Sequence, residues 1–218
     1  MLEFWHDKPI FQKKLEASIA EINNENTAIE SPVNIYQHFE AYIKLSDGLK
    51  LELSKRLKIK SFEKGEMVLD ASRVCKESYF IQKGILRAYF LKNGKEVSEF
   101  FCSVDEWINS PKSFTQRTTD IYYIDAIEQT VTYSLHVNDL LFLFEKFPEM
   151  ERYARLSMGS VFGHLMERIA SLRFTTAKER YTHFKAVYNS IYPRIPLGMV
   201  ASYLGVTQET LSRVRKQK

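Results

Sequence analysis

The sequence predicts an α+β fold with N-terminal helices, an antiparallel β-roll of the double-stranded β-helix or jelly-roll type, a long helix and a helical C-terminal unit. Two observations predict it. Short β-prone runs recur at close spacing between residues 57 and 136, as in antiparallel rolls and sandwiches. From residue 137 onward, the apolar residues recur at helical spacing. The chain has 218 residues, of which 44% are hydrophobic and 27% charged, which is typical of a globular protein with a real core.

The N-terminal part is predicted to be helical. Residues 1–30 form an extension in which residues 9–24 carry one apolar stripe, and Pro9 suits the first turn of a helix. The stripe consists of Ile10 or Phe11, Leu15, Ile19 and Ile22. A second helical stretch is predicted from about residue 35 to residue 56, with an interruption at residues 46–48.

The β-roll is predicted within residues 31–147. Its clearest local signal is "ILRAYFLKNGKEVSEFFC", in which two β-prone runs are joined at Asn93-Gly94, a favoured hairpin turn. A turn at Lys64-Gly65 divides an earlier β-prone stretch, and Gly84 closes the run "SYFIQKG". Two more strands are expected in "IYYIDAI" and "TVTYSLH".

A long helix is predicted over residues 148–174, beginning at Pro148. Some two dozen helical residues span about 36 Å, which is longer than a compact domain usually needs. The helix is therefore expected to connect two domains or to pair with a copy of itself. Its apolar positions are Met150, Tyr153, Met158, Phe162, Leu165, Ile169 and Leu172.

Residues 175–218 contain a pattern typical of a helix-turn-helix, "PLGMVASYLGVTQETLSRVRKQ". The small residue Ala201 suits the point where two helices cross, and Gly205 suits a turn that needs positive φ. Thr207 is positioned to cap the second helix. Four apolar residues would face the core, with Val206 filling the turn: Val200, Leu204, Leu211 and Val214.

The opposite face of the second helix carries side chains that can read base edges. Arg pairs with guanine, Gln with adenine, and Glu with the amino group of cytosine. The segment from Arg194 onward has five basic residues against one acid, which accounts for the whole net charge of +4. The predicted DNA-binding residues are Thr207, Gln208, Glu209, Ser212, Arg213, Arg215 and Lys216. An ordinary helical hairpin with a solvated face remains the alternative at this point.

The order of these parts resembles the Crp/Fnr family of bacterial transcription regulators over roughly residues 34–218. The most specific motif is "ASYLGVTQETLSRVRK", which with "FEKGEMVL", "SYFIQKGILRAYFLKNGKEVSEFF" and "AKERY" resembles a subgroup common in Bacteroidetes. The resemblance implies a sensor β-roll of the cyclic-nucleotide-binding type and a homodimer formed through the 148–174 helix. It implies double-stranded DNA as a partner, contacted at base edges by Gln208, Glu209 and Arg213, and RNA polymerase as a further partner.

The resemblance also indicates where an effector would bind. In cyclic-nucleotide binders, a Gly-Glu pair opens a short helix and an Arg-Ser pair follows; Glu holds a ribose hydroxyl, while Arg and the helix N-terminus neutralise the phosphate. Here the first pair aligns with Asn109-Ser110 and the arginine with Asp120, whose carboxylate repels a phosphate. Arg117, three residues earlier, is the alternative cation. We therefore expect no response to cyclic AMP and leave the effector unidentified.

The recognition helix is expected to act without a β-hairpin wing, since the given chain stops shortly after it. Phosphate contacts are then expected from Arg215, Lys216 and Lys218.

Other classes of function have little support in the sequence. Cys75 and Cys102 have neither the number nor the spacing of a disulfide framework or a zinc site, and the five histidines are scattered, so no metal or cofactor is expected. No catalytic constellation is recognisable, which predicts a protein that is not an enzyme. The longest apolar run, "LLFLF", is too short to cross a bilayer. Because the two cysteines suggest no disulfide framework, a reducing cytoplasmic location is expected. Two alternatives remain: a degenerate sensor that acts through protein–protein contacts with a vestigial helix-turn-helix, and a constitutive regulator without a ligand.

Overall fold

The computed structural model describes residues 35–216, apart from the side chain of Phe174. The helix predicted at residues 9–24 and the phosphate contact predicted for Lys218 lie outside this range. The helices are α1 (Ile35–Glu40), α2 (Asp47–Arg56), α3 (Pro111–Gln116), α4 (Val137–Lys146), α5 (Pro148–Phe174), α6 (Ala177–Val187), α7 (Leu197–Leu204) and α8 (Gln208–Lys216). The strands are β1 (Lys58–Phe62), β2 (Met67–Leu69), β3 (Glu77–Lys83), β4 (Leu86–Lys92), β5 (Lys95–Cys102), β6 (Trp107–Ile108), β7 (Tyr123–Ala126) and β8 (Thr130–His136).

The strands form two antiparallel four-stranded sheets. The first sheet has the order β1-β8-β3-β6 and the second has the order β2-β7-β4-β5. Buried apolar side chains from both sheets meet in the core of the roll, and they include Ile81, Ile108, Leu86, Ala88 and Ile124. The predicted α+β fold with an antiparallel roll is confirmed.

The β4–β5 hairpin forms at the predicted turn. Asn93 and Gly94 both have positive φ, at 52° and 73°, and Lys92 pairs with Lys95 across the turn. Two central residues with positive φ match the right-handed twist of the flanking strands, which explains the preference for Asn-Gly at this place. The two strands predicted after the hairpin also form, and although β7 and β8 follow each other in the chain they belong to different sheets.

The helical stretch predicted for residues 35–56 is interrupted earlier than expected. Helix α1 ends at Glu40, and α2 starts after Ser46, whose side chain accepts a hydrogen bond from the Leu49 N–H at 3.3 Å. Asp47 and Gly48 therefore belong to the first turn of α2: the predicted break exists, but it lies at residues 41–46 and not at residues 46–48. Ser46 is the N-cap of α2, and such a residue marks the start of a helix.

The long helix α5 has 27 residues, or about 40 Å. Its first two turns belong to the core: Met150 and Tyr153 are buried in a cluster with α1, α2 and α4. The Tyr153 hydroxyl lies 2.8 Å from both Trp107 Nε1 and His38 Nε2. Beyond this point many large apolar side chains of α5 are exposed: Leu156, Met158, Val161, Phe162, Leu165, Met166, Ile169 and Leu172.

None of the helices in the described part of the chain is long and apolar enough to span a membrane.

Candidate nucleic-acid interface

Helices α6, α7 and α8 pack into a small helical unit around the predicted apolar residues. Val200, Ala201, Leu204 and Leu211 are each at most 4% exposed. Gly205 has φ 66° and ends α7, as the predicted turn requires. The crossing of α7 and α8 is therefore the predicted helix-turn-helix. Val214 is only half-buried, so it contributes less to this core than expected.

Polar side chains define the starts of two of these helices. At the start of α6, Thr176 and Glu179 form a capping box, in which each side chain accepts a hydrogen bond from the other residue's backbone N–H. At the start of α8, Thr207 Oγ1 accepts a hydrogen bond from the Thr210 N–H at 3.2 Å. This contact agrees with the predicted capping role of Thr207.

The outward face of α8 carries the predicted base-reading side chains. Thr207, Gln208, Glu209, Arg213, Arg215 and Lys216 are exposed, and Ser212 is half-buried. The structure thus brings all seven predicted residues together on one short helix and the turn before it. Three cations and one carboxylate make this face positive on balance, which favours contact with a polyanion.

Glu209 lies within the first turn of α8. Its pKa is lowered by a hydrogen bond from its own backbone N–H, by the Thr207 hydroxyl and by the positive charge of Arg213. The carboxylate is therefore held in its ionised form, which is the form that accepts a hydrogen bond from a base amino group.

Comparison with known proteins identifies the architecture. No protein-family model and no curated protein matches the sequence. Solved structures do match, at low identity. FixK2 from Bradyrhizobium japonicum has a TM-score of 0.64 and 18% identity, over 74% of this chain and 83% of that one. The c-di-GMP responsive global regulator CLP of Xanthomonas campestris has a TM-score of 0.63 and 13% identity, over 79% of this chain and 91% of that one.

A protein of Eubacterium rectale assigned to the Crp/Fnr family of transcriptional regulators has a TM-score of 0.63 and 18% identity, over 78% of this chain and 82% of that one. The chain has the Crp/Fnr fold. At these identities the likeness concerns the fold, and the resemblance to a Bacteroidetes subgroup stays a prediction.

Within the Crp/Fnr fold, the predicted effector position lies around α3. Ser110, which is 1% exposed, precedes this helix, and its hydroxyl donates to Asp120 Oδ2 at 2.9 Å. The other carboxylate oxygen of Asp120 accepts from the Ile121 N–H at 2.8 Å. Both oxygens of Asp120 thus have partners inside the protein, and its negative charge occupies the place where the family resemblance expects an arginine.

The other two effector-pocket candidates are engaged elsewhere. Asn109 Nδ2 donates to Ser78 Oγ at 3.0 Å. Arg117 is exposed and lies at the C-terminal end of α3 with φ 59°, and its Nη1 donates to the Phe114 carbonyl at 2.7 Å. The structure therefore brings Ser110 and Asp120 together but directs the Arg117 side chain back to its own helix.

An ion-pair cluster around a buried arginine lies on the second sheet, and it was not among the predicted sites. Arg87 of β4 is 2% exposed, and its Nε and Nη2 donate to the two carboxylate oxygens of Asp125 at 2.9 and 2.6 Å. Glu96 lies 2.8 Å from the same guanidinium. Burial by itself would lower the pKa of Arg87, but these two carboxylates outweigh it and raise the pKa. The "ILRAYF" run showed a charged residue inside a strand, and this was the only available signal.

Both cysteines are buried, and burial raises the pKa of each thiol. Among residues 35–216, no group of three or more His, Cys, Asp and Glu side chains is arranged to hold a metal ion.

Proposed function

We propose that this protein is a DNA-binding transcription regulator that acts as a homodimer on a near-palindromic site. The observation that carries the proposal is the outward face of α8. Gln208, Glu209 and Arg213 are exposed there, while Leu211 anchors the opposite side of the helix at 1% exposure. Because the apolar side of α8 is packed against the rest of the helical unit, its polar side chains can point toward the bases when the helix enters a major groove.

Each side chain has a defined task in this proposal. The Arg213 guanidinium can donate two hydrogen bonds to guanine O6 and N7, and the Gln208 amide can pair with adenine. Glu209 can accept from the amino group of cytosine. Arg215 and Lys216 supply positive charge for backbone phosphates, which positions the helix without reading sequence.

The proposed homodimer is supported by the exposed stripe on α5. Met158, Phe162, Leu165, Ile169 and Leu172 follow each other at alternating intervals of four and three residues. This is the spacing of a coiled-coil seam. Large apolar side chains in one continuous stripe are uncommon on a monomer, which favours a second copy as the partner. Pairing of two α5 helices would present two α8 helices to successive major grooves, about 34 Å apart.

We also propose that the roll does not hold the phosphate of a cyclic nucleotide. The carboxylate of Asp120 would repel that phosphate. The Ser110 hydroxyl already donates its hydrogen bond to this carboxylate. Titration with cyclic AMP is therefore expected to leave DNA affinity unchanged at fixed salt. Contact with RNA polymerase remains a prediction, which transcription from a template carrying the selected site would test.

Selection from a random-duplex library with the purified full chain tests the proposed function. We expect enrichment of a two-fold symmetric consensus whose half-sites are about one helical turn apart. The affinity for that consensus should fall steeply with salt: the logarithm of the association constant, plotted against the logarithm of the salt concentration, should have a slope of about −0.9 for each phosphate contact. A protein-interaction module with a vestigial helix-turn-helix would enrich no sequence, and that result would exclude the regulator.

A further inference from the structure

The helix-turn-helix unit packs against the outer face of the second sheet. One buried apolar cluster contains residues of both: Ile85, Phe101 and Ile127 from the roll, and Phe184, Ile191, Ile195, Val200, Ala201, Leu204 and Leu211 from the helical unit. Relative motion is the usual expectation for two units joined by a small polar contact. A shared apolar core opposes such motion, because separating the two parts would expose its side chains to water.

Aromatic rings form the centre of this contact. The ring of Phe101 in β5 lies 6.1 Å from Phe184, 5.6 Å from Tyr188 and 5.7 Å from Tyr203, measured between centroids. Burial, together with a hydrogen bond to Tyr203, raises the pKa of Tyr188 well above its usual value. Tyr188 is therefore neutral in the folded protein and acts as a packing and hydrogen-bonding group.

Polar contacts fix the position of α7 along β5. Strand β5 lies at the edge of the second sheet, and its Ser98 N–H donates to Ser202 Oγ of α7 at 3.1 Å. The two serine hydroxyls are 3.0 Å apart, and Ser98 is completely buried. Helix α7 thereby covers part of a sheet edge. Arg194, just before α7, forms an ion pair with Glu128 of the roll.

Arg168 of the long helix α5 contacts both α7 and β5. Its guanidinium carbon lies 3.8 Å from the centre of the Tyr203 ring, which is a cation–π contact. Its Nε lies 3.6 Å from the Glu99 carboxylate of β5, and the side chain is 12% exposed. Helix α5, strand β5 and helix α7 therefore meet at this one arginine.

The contact leaves the recognition face free. It uses side chains of α6, of α7 and of the segment between them, together with Leu211 on the inner side of α8. Gln208, Glu209 and Arg213 on the outer side of α8 remain exposed. Packing of the helix-turn-helix on the roll thus orients the recognition helix without covering it.

We propose that this contact, held by Arg168 and Tyr203, sets the distance between the two recognition helices and so selects the spacing of the DNA half-sites. The inference rests on the proposed function. Pairing of two α5 helices fixes the two rolls relative to each other, and packing of α7 on β5 fixes each recognition helix relative to its roll. Arg168 and Tyr203 are positioning residues in this scheme, since they touch no base.

Tyr203→Ala tests the proposal on duplexes that carry two selected half-sites with spacers shortened or lengthened by a few base pairs. For the wild type, the optimal spacing should bind about a hundredfold more tightly than the others, because a rigid dimer loses its second contact when the geometry does not fit. We expect the variant to lose most of that preference while its affinity for a single half-site is retained. Tyr42→Ala is the matched control: it removes a tyrosine ring that is 43% exposed and contacts His38 and Tyr153, outside the contact between the roll and the helix-turn-helix. The control should keep the wild-type preference.

Hydrogen exchange of the Ser98 amide tests the packing itself without DNA. The amide should be protected in the wild type and exchange about tenfold faster or more in Tyr203→Ala and in Ser202→Ala, because loss of α7 uncovers the edge of the sheet. An unprotected Ser98 amide in the wild type, or an unchanged spacing preference in Tyr203→Ala, would overturn the inference and leave the regulator intact. Failure to select any duplex would remove the proposed function and this inference with it.

Discussion

Gly84, at the end of β3, is a residue whose backbone leaves no room for a side chain. Its φ is +98°, and an added Cβ would lie 2.3 Å from Thr130 Oγ1 and 2.7 Å from the Gln129 carbonyl oxygen. The same Thr130 hydroxyl accepts a hydrogen bond from the Ile85 N–H at 3.2 Å, so it is not free to move away. The glycine that closes a β-prone run in the sequence therefore permits a close approach of two chain segments.

We predict that Gly84→Ala lowers the free energy of unfolding by roughly 2–5 kcal/mol, as the sum of backbone strain and overpacking. Gly65→Ala is the control, since Gly65 has φ +82° but a Cβ there would contact nothing within 4 Å. It should cost only about 1–2 kcal/mol of strain. Urea denaturation of both variants measures the difference, and equal losses would contradict the role of Thr130.

Glu77 is expected to make the free energy of unfolding depend on pH in the acid range. Burial alone would raise its pKa, but the hydrogen bonds from Lys60 and Tyr79 lower it below the usual value. The ionised Glu77 carboxylate therefore stabilises the folded protein fully at pH values above the ordinary carboxyl pKa of about 4.3. This stabilisation is lost as the pH falls through the lower pKa that Glu77 has in the folded protein. Denaturation midpoints across pH 2–6 should show a smaller acid loss in Glu77→Gln and an intermediate one in Tyr79→Phe. Identical dependence of the midpoint on pH in all three proteins would be inconsistent with stabilisation by the contacts of Glu77 with Lys60 and Tyr79.

At this scale, the sequence predicts local features better than distant partners. The Asn93-Gly94 turn and the Thr207 cap depend on neighbours in the chain, and both were predictable. The bond from Arg87 to Asp125 joins residues that are 38 positions apart. It requires the register of β4 against β7, which no local pattern contains.

Among the elements, α5 has two different environments along its length. Met150 and Tyr153 are buried within one chain, whereas the stripe from Met158 to Leu172 is exposed. The helical periodicity is the same in both parts, so the sequence predicts one helix but cannot tell which turns pack inside the chain.

We predict that Leu165→Glu weakens the homodimer by about a hundredfold or more, because placing the two carboxylates of a dimer in its apolar seam costs at least about 3 kcal/mol in total. Ser160→Glu is the control: Ser160 is exposed on α5 and lies outside the heptad positions of the seam. Sedimentation equilibrium of both variants should give a monomer for the first at concentrations where the second is a dimer. A dimeric Leu165→Glu protein would rule out this seam.

The strands illustrate the same limit. Alternation and turns predicted the β7 and β8 runs, but their assignment to two different sheets depends on long-range pairing. The break between α1 and α2 was misplaced for a local reason, since Ser46 caps α2 and Asp47-Gly48 read as a turn.

For the whole molecule, the order of roll, long helix and helix-turn-helix was predictable because each part has its own periodicity. The packing of the helix-turn-helix on the roll was not. It depends on pairs such as Ser98–Ser202 and Glu99–Arg168, which are far apart in the chain and individually ordinary. The effector position was inferred from the family resemblance, which aligns Asp120 with an arginine and Ser110 with a residue that opens the short helix. The hydrogen bond from Ser110 to Asp120 became known only from the fold.

In the proposed function, the exposed side chains of α8 distinguish one base sequence from another. The ratio of the dissociation constants for a scrambled and a selected duplex of equal length, at one fixed salt concentration, measures this discrimination. We predict a ratio of about 10³ or more for the wild type. Arg213→Ala should reduce it by roughly ten- to a hundredfold, while Lys216→Ala weakens both duplexes alike. A wild-type ratio near one, or a ratio that Arg213→Ala leaves unchanged, would show that α8 does not read base sequence.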